Sequence, residues 1–487
     1  MLTRLPAFFR NDDPIRLART VSGHVVHQVP IKAVEQLNEA LERLFAVPQS
    51  AEKVLLILDE LEPAIAQVFE QVRLELGAAE QNPVRFSLLV RYSSQLVNRM
   101  WNDYRQLLID SRGSPSARVY SGFIDWTTMR VLFEQLLGGR IEPLEWRPIL
   151  LPLRVEKDTD GLFSLERLQT ASVRQSLACL TMLSTLVDGV LDLRQLLLAM
   201  PLLKLLSKDV IFNSRYQPES PFVLTLLTTG RPHWLEGWQL PEMDDRALFC
   251  GFEQAKLVCR NWCSERVRDN QFPPTWPIWK EQTLTETLAA LGLMERAWTS
   301  RQAQRNEVRI NAAQVLLCSF QLLRVRGLVA RPHQTRPALE LGVREGALLD
   351  TSSSGSGLYF EKADPEMRPS ALMGRYNGED SSWSLSIIRR TRETEGGVFL
   401  GAQILGHHPV AGRVLFDDAK VAGSDRLHVL FLEKAQGCKA SALLTASPLL
   451  PLGERCTIEM NKQQYTIEIL DFVEAGVDYV LYDVDLL

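Results

Sequence analysis

The sequence predicts a multi-domain protein in which a mostly α-helical N-terminal region is followed by an antiparallel β-barrel region. Apolar residues recur at three- and four-residue intervals through most of the chain before residue 325, a spacing typical of amphipathic helices. From about residue 327, short alternating segments separated by turn residues replace this pattern and indicate strands. The 487 residues have the composition of an ordinary globular protein and are enough for about three domains.

The helices are predicted from their apolar faces and from the residues at their ends. After an irregular lead over residues 1–30, residues 31–47 place Val34, Leu37 and Leu41 on one helical face. Proline or glycine at the ends of later segments marks where helices begin or stop. Further helices are predicted over residues 51–76, 83–108, 125–138, 164–187, 191–207, 241–268, 284–298 and 308–323. Prolines recur in residues 208–240, which we interpret as a long connection.

The barrel region is predicted from short β-type segments about 12 residues apart. These segments cover residues 339–343, 385–391, 398–405, 427–432, 441–445, 457–460, 465–470 and 478–482. We therefore predict a helical region over residues 1–325, suited to interaction with partners, and a barrel region over residues 326–487. The residues from about 411 onward either complete the barrel or form a second one.

Composition limits the functions that the chain can have. The net charge of −5 gives no general basic field, so we expect no nucleic-acid partner and only a local anion site. Seven scattered cysteines indicate reduced thiols and a cytoplasmic location. The most apolar stretch, residues 191–206, is interrupted by charged residues and proline, so we expect no membrane span.

Two arginines and a polar turn carry the chemistry that the sequence offers. Arg331 and Arg336 follow the last predicted helix, and guanidinium groups bind phosphate through paired hydrogen bonds and stack on purines. The sequence Asp-Thr-Ser-Ser-Ser-Gly follows a predicted strand. Asp350 can accept from a base edge, Ser352 can donate to a phosphate, and Gly355 lets the turn approach a ligand closely. These five residues predict a pocket for an anionic ligand that carries a base.

The pattern resembles the signature of the PilZ domain, a family of small β-barrels that bind cyclic di-GMP. That signature joins an R-x-x-x-R element on the linker into the barrel to a D/N-x-S-x-x-G element on an early barrel turn. Asp350, Ser352 and Gly355 match the second element fully. Arg331 and Arg336 match the first with four residues between them instead of three.

The resemblance covers roughly residues 324–410 and implies what the protein does. It implies that cyclic di-GMP is the ligand, that the five matching residues bind it, and that no cofactor is needed. It further implies a signalling effector whose helical region regulates an unidentified protein partner, in the control of motility, adhesion or biofilm formation.

Other interpretations of the same sequence stay open. The Ser/Gly-rich turn also fits a flexible loop beside solvent-facing arginines, and a barrel without ligand would make the protein a scaffold. An enzyme is not predicted, because the sequence has no nucleotide-binding glycine loop, no nucleophile elbow and no zinc-protease motif. His407 and His408 favour a solvated turn over a metal site, and Cys259 and Cys263 are interpreted as buried thiols.

Overall fold

In the computed structural model the chain forms two compact units. The first contains residues 1–185 and 200–253, and the second contains residues 186–199 and 254–487. The structure describes residues 13–78, 83–111, 115–137, 144–153, 168, 170–187, 190–226, 228–229, 232–234, 247–269, 284–299, 310–330, 342–352, 354–378, 382–394, 396–415, 426–446, 450 and 452–487.

Helices dominate the described N-terminal part of the chain. They are α1 (Pro14–Val25), α2 (Pro30–Leu44), α3 (Ala51–Ala78), α4 (Pro83–Asp110), α5 (Ala117–Leu136), α6 (Arg147–Leu150), α7 (Ala171–Leu186) and α8 (Leu193–Leu206). The predicted face of α2 is confirmed, because Leu37 and Leu41 are fully buried. The expectation of an irregular lead is wrong where α1 lies. The Asp13 side chain accepts a hydrogen bond from the Ile15 amide and caps this helix.

A small antiparallel sheet interrupts the helical pattern. Its strands are β1 (Ile211–Asn213), β2 (Phe222–Leu224), β3 (His233–Trp234) and β4 (Leu248–Gly251), in the order β1-β4-β2-β3. The prediction of one helix over residues 241–268 is wrong for β4, and a helix begins only at Glu253. All four residues of β4 are buried. A short apolar run of this kind fits a buried strand as well as a helix.

Helix α9 (Glu253–Asp269) belongs to the second unit from Gln254 onward, and α10 (Leu284–Thr299) and a closed antiparallel barrel follow it. The barrel has strands β5 (Ile310–Phe320), β6 (Val343–Thr351), β7 (Gly355–Phe360), β8 (Leu372–Asn377), β9 (Ser382–Thr394) and β10 (Gly397–His407). Around the barrel their order is β10-β7-β6-β5-β8-β9, and the short helix α11 (Leu322–Val329) follows β5.

One part of the interior of this first barrel is a cluster of apolar side chains. Phe320, Leu358 and Phe360 are among its buried residues, with Cys318 and Met373 beside them. The predicted helix over residues 308–323 is wrong here, since β5 occupies residues 310–320 and pairs with both β6 and β8. The side chains of Cys318 and Phe320 on this strand point into the barrel interior.

A second closed antiparallel barrel begins at Val410. Its strands are β11 (Val410–Leu415), β12 (Arg426–Leu432), β13 (Ser441–Thr445), β14 (Arg455–Met460), β15 (Gln463–Ala475) and β16 (Val480–Leu486), in the order β11-β12-β13-β16-β15-β14. The predicted fold class, helices followed by an antiparallel β-barrel region, is confirmed.

The two barrels share one apolar cluster. Leu322 and Leu372 of the first barrel region pack in the same buried cluster as Leu430 and Leu481 of the second. The carboxylate of Asp478 accepts hydrogen bonds from the amides of Leu322 and Leu372, at 2.6 and 3.0 Å. The barrels are therefore joined by apolar packing and by a side chain that binds the backbone of the first.

Candidate functional site

The residues predicted from sequence fall into two groups. Arg331 and Arg336 lie outside the described residues. Asp350 is the penultimate residue of β6, Ser352 lies in the turn that follows, and Gly355 begins β7. The structure thus brings the three residues of the D-x-S-x-x-G element together on one hairpin of the first barrel.

Ser352 closes this hairpin with its own backbone and hydroxyl. Its amide donates to the Gly355 carbonyl at 2.7 Å, and the Gly355 amide donates to the Ser352 Oγ at 3.2 Å. The Ser352 hydroxyl is also within 3.3 Å of the Gly355 carbonyl. The serine expected to contact a phosphate therefore has a clear role in shaping the turn.

Gly355 is needed because the hairpin lies close to the neighbouring strand β10. A Cβ atom at Gly355 would lie 3.0 Å from the Ala402 carbonyl oxygen. The Ile404 amide donates to the Ser354 carbonyl at 3.0 Å, which fixes the turn against β10. A side chain at position 355 would push the turn away from this strand.

The Asp350 carboxylate lies on the outer wall of the barrel, over β7. The pairing of β6 with β7 shifts by one residue between Leu348 and Asp350, a β-bulge that sets Asp350 opposite Gly357. A Cβ atom at Gly357 would be only 2.7 Å from the Asp350 Oδ1. Glycine at this position gives the carboxylate the space it occupies.

The residues paired with Asp350 on successive strands form a row across the barrel wall that ends at Arg390. Gly357 pairs with Gly401 of β10, and Gly401 pairs with Arg390 of β9. Arg390 is exposed, and its Cβ and Cγ atoms lie 3.6 and 3.9 Å from where a Gly401 Cβ would stand. We call Gly357 and Gly401 the glycine strip. Sequence reasoning missed this strip, although a glycine inside a predicted strand is a known sign of close approach.

A second arginine lies buried inside the first barrel, below the hairpin. Arg375 is 9% exposed, and its guanidinium donates to the Ser356 Oγ at 2.9 Å and reaches the Ser384 Oγ at 3.4 Å. Burial lowers the pKa of Arg375 from its ordinary value. Ser356 directly follows the motif glycine, so this buried cation holds the start of β7 from the inside.

A β-bulge in β9 separates two neighbouring arginines. Gly401 pairs with Arg390 and Ala402 pairs with Ile388, so Arg389 is an extra residue in the strand. The Arg389 Nε donates to the Gln403 Oε1 at 2.8 Å. Its Nη2 lies 3.1 Å from the Glu474 Oε2, which belongs to the second barrel.

Glu474 is the centre of a buried polar cluster beside this bulge. Arg296 of α10 forms a second ion pair with Glu474, and the Tyr479 hydroxyl donates to its Oε1 at 2.5 Å. Burial alone would raise the pKa of Glu474, but the guanidiniums of Arg296 and Arg389 outweigh it and lower the pKa to about 2. The cluster connects α10, β9 and β15, one strand position away from Arg390.

Other features in the described part of the chain do not form a binding site for a nucleotide or a metal ion. A cavity of about 10 Å³, lined by Asp192, Glu286 and Arg368 among others, has room for about one water molecule and not for a nucleotide. Within the described ranges, no three His, Cys, Asp or Glu side chains are grouped to hold a metal ion. None of the helices in these ranges has the length and hydropathy needed to span a bilayer.

No protein-family model matches the chain, and no curated protein matches it. The class of protein is therefore defined by its own fold: a helical N-terminal part joined to tandem six-stranded antiparallel barrels. Within that class, this chain is marked by the Asp350–Ser352–Gly355 hairpin and by the glycine strip beside it.

Proposed function

We propose that the first barrel binds cyclic di-GMP and that the protein is a signalling effector. The observation that carries this proposal is the D-x-S-x-x-G element at the β6–β7 hairpin of a closed barrel. There the Asp350 carboxylate lies on the outer wall against Gly357, and Ser352 and Gly355 hold the turn in place. A carboxylate on such a hairpin is suited to accept from the N–H groups of a guanine edge.

The ligand has phosphodiesters as well as guanine bases, and each needs a partner. Arg331 and Arg336, on the segment between α11 and β6, are the proposed phosphate contacts, because guanidinium groups bind phosphate through paired hydrogen bonds. Asp350 is the proposed base contact. Ser352 and Gly355 act in this proposal mainly by fixing the turn.

The effector role assigns an output to the helical region. A ligand that changes the barrel surface shifts the affinity for a partner only if partner and ligand favour the same state of the protein. We place the partner surface on residues 1–325 and, by the family resemblance, the process in motility, adhesion or biofilm control. The cysteines in the structure are free thiols, which supports a cytoplasmic location.

Isothermal titration calorimetry with cyclic di-GMP tests the proposal. We expect saturable binding to the wild-type chain, and loss of at least tenfold in affinity for Asp350→Ala and for the double variant Arg331→Ala/Arg336→Ala. Asp485→Ala is the matched control, since Asp485 is an exposed acid at the end of the second barrel. If Asp350→Ala and Asp485→Ala bind cyclic di-GMP with equal affinity, Asp350 does not contact the ligand.

A ligand-free scaffold is the second candidate function. The observation that favours it is that the Ser352 hydroxyl already donates and accepts within its own turn. Such a hairpin could serve the barrel alone, while the helical region assembles partners. Absence of heat with cyclic di-GMP at high micromolar concentration, from a folded chain, would favour the scaffold.

A further inference from the structure

We infer that one end of the first barrel binds a small monovalent anion, such as chloride, on the guanidinium of Arg375. The anion supplies the negative charge that this buried cation lacks in the barrel interior. The inference is independent of the proposed cyclic di-GMP site, because Arg375 lies inside the barrel and the Asp350 carboxylate lies on its outer wall.

The Arg375 side chain crosses the interior of the barrel. Arg375 lies on β8, and its Nη1 donates to the Ser356 Oγ on β7 at 2.9 Å. In the strand order of the closed barrel, β7 and β8 are equally far apart in both directions, so they form opposite walls. The Arg375 Nε reaches the Ser384 Oγ on β9, at 3.4 Å. The guanidinium is therefore held between strands on different sides of the interior.

The guanidinium lies close to the end of the barrel at which the β6–β7 hairpin turns. Ser356 is next to the first residue of β7, Ser384 is near the start of β9, and Arg375 is near the end of β8. Because neighbouring strands are antiparallel, these strand ends meet at the same end of the barrel. Arg375 is 9% exposed. A small ion can thus reach the guanidinium from solvent without crossing the apolar cluster.

Arg375 has no counter-charge in the described part of the chain. Its partners there are the two serine hydroxyls, which are neutral and accept from only two of the five guanidinium N–H donors. The residue paired with Arg375 on β5 is Cys318, and burial raises the pKa of this thiol to about 12, so it is also neutral at pH 7. Buried charges in proteins are normally paired, because an uncompensated charge away from water is costly.

A buried hydroxyl beside Arg375 offers a further donor to the same anion. Ser386 pairs with Met373 of β8, which belongs to the apolar cluster inside the barrel, so both side chains point inward. Ser386 is fully buried, and its Oγ has no hydrogen-bond partner among the described residues. Ser386 and Arg375 are diagonal neighbours on the inner wall, with about 7–8 Å between their backbones. One ion can accept from both side chains across this separation.

The groups around the site determine the charge and the size of the anion. One guanidinium balances one negative charge, and the serine hydroxyls add hydrogen bonds without adding charge. Deeper in the barrel, Leu358, Met373 and Phe320 form an apolar floor. A dianion such as hydrogen phosphate would keep an uncompensated charge against this floor. The site therefore fits a monovalent ion of about the size of a halide.

Chloride NMR of the full chain tests the inference directly, because binding to a protein broadens the signal of the ion. We expect the wild type to broaden the signal of sodium chloride. Arg375→Met keeps an unbranched side chain but removes the charge, and should lose a large part of this broadening. Arg392→Met is the matched control, since Arg392 is an exposed arginine on β9, and it should broaden the signal as the wild type does. Equal broadening by wild type and Arg375→Met would overturn the inference.

Thermal unfolding gives a second measurement that does not depend on the folding of Arg375→Met. When chloride replaces gluconate at constant ionic strength, the melting temperature of the wild type should rise by about 2–4 °C at chloride well above its dissociation constant. Ser386→Ala should show a smaller rise, because the anion loses a donor, and Ser87→Ala at an exposed position in α4 should keep the full rise. The absence of a rise in the wild type, or a full rise in Ser386→Ala, would overturn the inference.

Discussion

Ser352 shows how one residue of the motif shapes the backbone around the proposed site. Its hydroxyl bridges the backbone of Gly355, so the turn geometry depends on a short side chain close to the main chain. The position of Asp350 follows from that geometry, because the same hairpin sets Asp350 opposite Gly357. Ligand affinity and barrel stability are therefore expected to change together at residue 352.

We expect Ser352→Ala to lower the free energy of unfolding by about 1 kcal/mol, because the Gly355 amide loses its hydroxyl acceptor. Urea denaturation followed by circular dichroism measures this loss. Ser87→Ala, at an exposed position in helix α4, is the control and should stay within about 0.5 kcal/mol of wild type. Equal stability of both variants would mean that the turn forms without the hydroxyl.

Single residues were predictable from sequence only where a local pattern marks them. Asp350, Ser352 and Gly355 form such a pattern and were found on one hairpin. Arg375 was missed because an arginine is rarely buried, and nothing in its neighbours signals the inward direction. The position of Arg390 was not predicted for a different reason: it depends on pairing with Gly401, and strand pairing cannot be read from the sequence.

At the scale of elements, β5 explains why a strand was predicted as a helix. Its apolar residues lie on both walls: Cys318 and Phe320 are buried inside the barrel, while Val315 is 67% exposed. Neither the alternating nor the helical pattern is clean in such a run. The segment forms a strand because it pairs with β6 and β8, and such pairing depends on the tertiary fold.

The bulge in β9 directs two consecutive arginines to different parts of the second unit. Arg390 lies beside the glycine strip, and Arg389 reaches Glu474 in the second barrel. A change in the position of β9 would therefore alter the ion pair between Arg389 and Glu474. Through these consecutive residues, the outer wall of the first barrel is connected to the second barrel.

The Glu474 cluster predicts a pH dependence of stability. The pKa of Glu474 is lowered to about 2 from an ordinary 4.5, so its carboxylate stabilises the fold above about pH 4.5. This contribution is lost as the pH falls from about 4.5 to 2. At pH 7 we expect Glu474→Gln to lower the free energy of unfolding by about 3 kcal/mol, because two buried guanidiniums lose their counter-charge.

Urea denaturation of wild type and Glu474→Gln at about pH 7 and about pH 3 measures this effect. The difference between the two proteins should narrow at the lower pH. Glu468→Gln is the control on the same strand, since its ion pair with Arg455 is largely exposed and should contribute less than about 1 kcal/mol. A difference that is the same at both pH values would show that Glu474 does not act through its charge.

At the scale of the whole molecule, the fold class was predictable because composition and period differ between the two parts of the chain. The presence of a closed second barrel was left open by the sequence, since short strands do not state where one barrel closes and the next begins. Closure is decided by pairings distant in sequence, such as that of β11 with β14. The shared apolar cluster around Leu372 and Leu481 is likewise visible only in three dimensions.

Because they share this cluster, the two barrels should unfold as one cooperative unit. Amides of β7 and β16 should show equal protection from hydrogen exchange, measured by mass spectrometry of the intact chain. Asp478→Ala should reduce both equally, by about 2 kcal/mol, since it leaves the Leu322 and Leu372 amides without their acceptor. A loss of protection confined to β16 would show that the first barrel is stable by itself.

The extra residue in β9 also gives a codon-deletion scan a result that is easy to interpret. Removing one residue from a regular strand reverses the inside and outside of everything beyond the gap. Removing Arg389 would instead leave Ile388 and Arg390 opposite their present partners, Ala402 and Gly401. Such a shortened chain should keep its barrel and the position of Arg390 while losing the ion pair between Arg389 and Glu474.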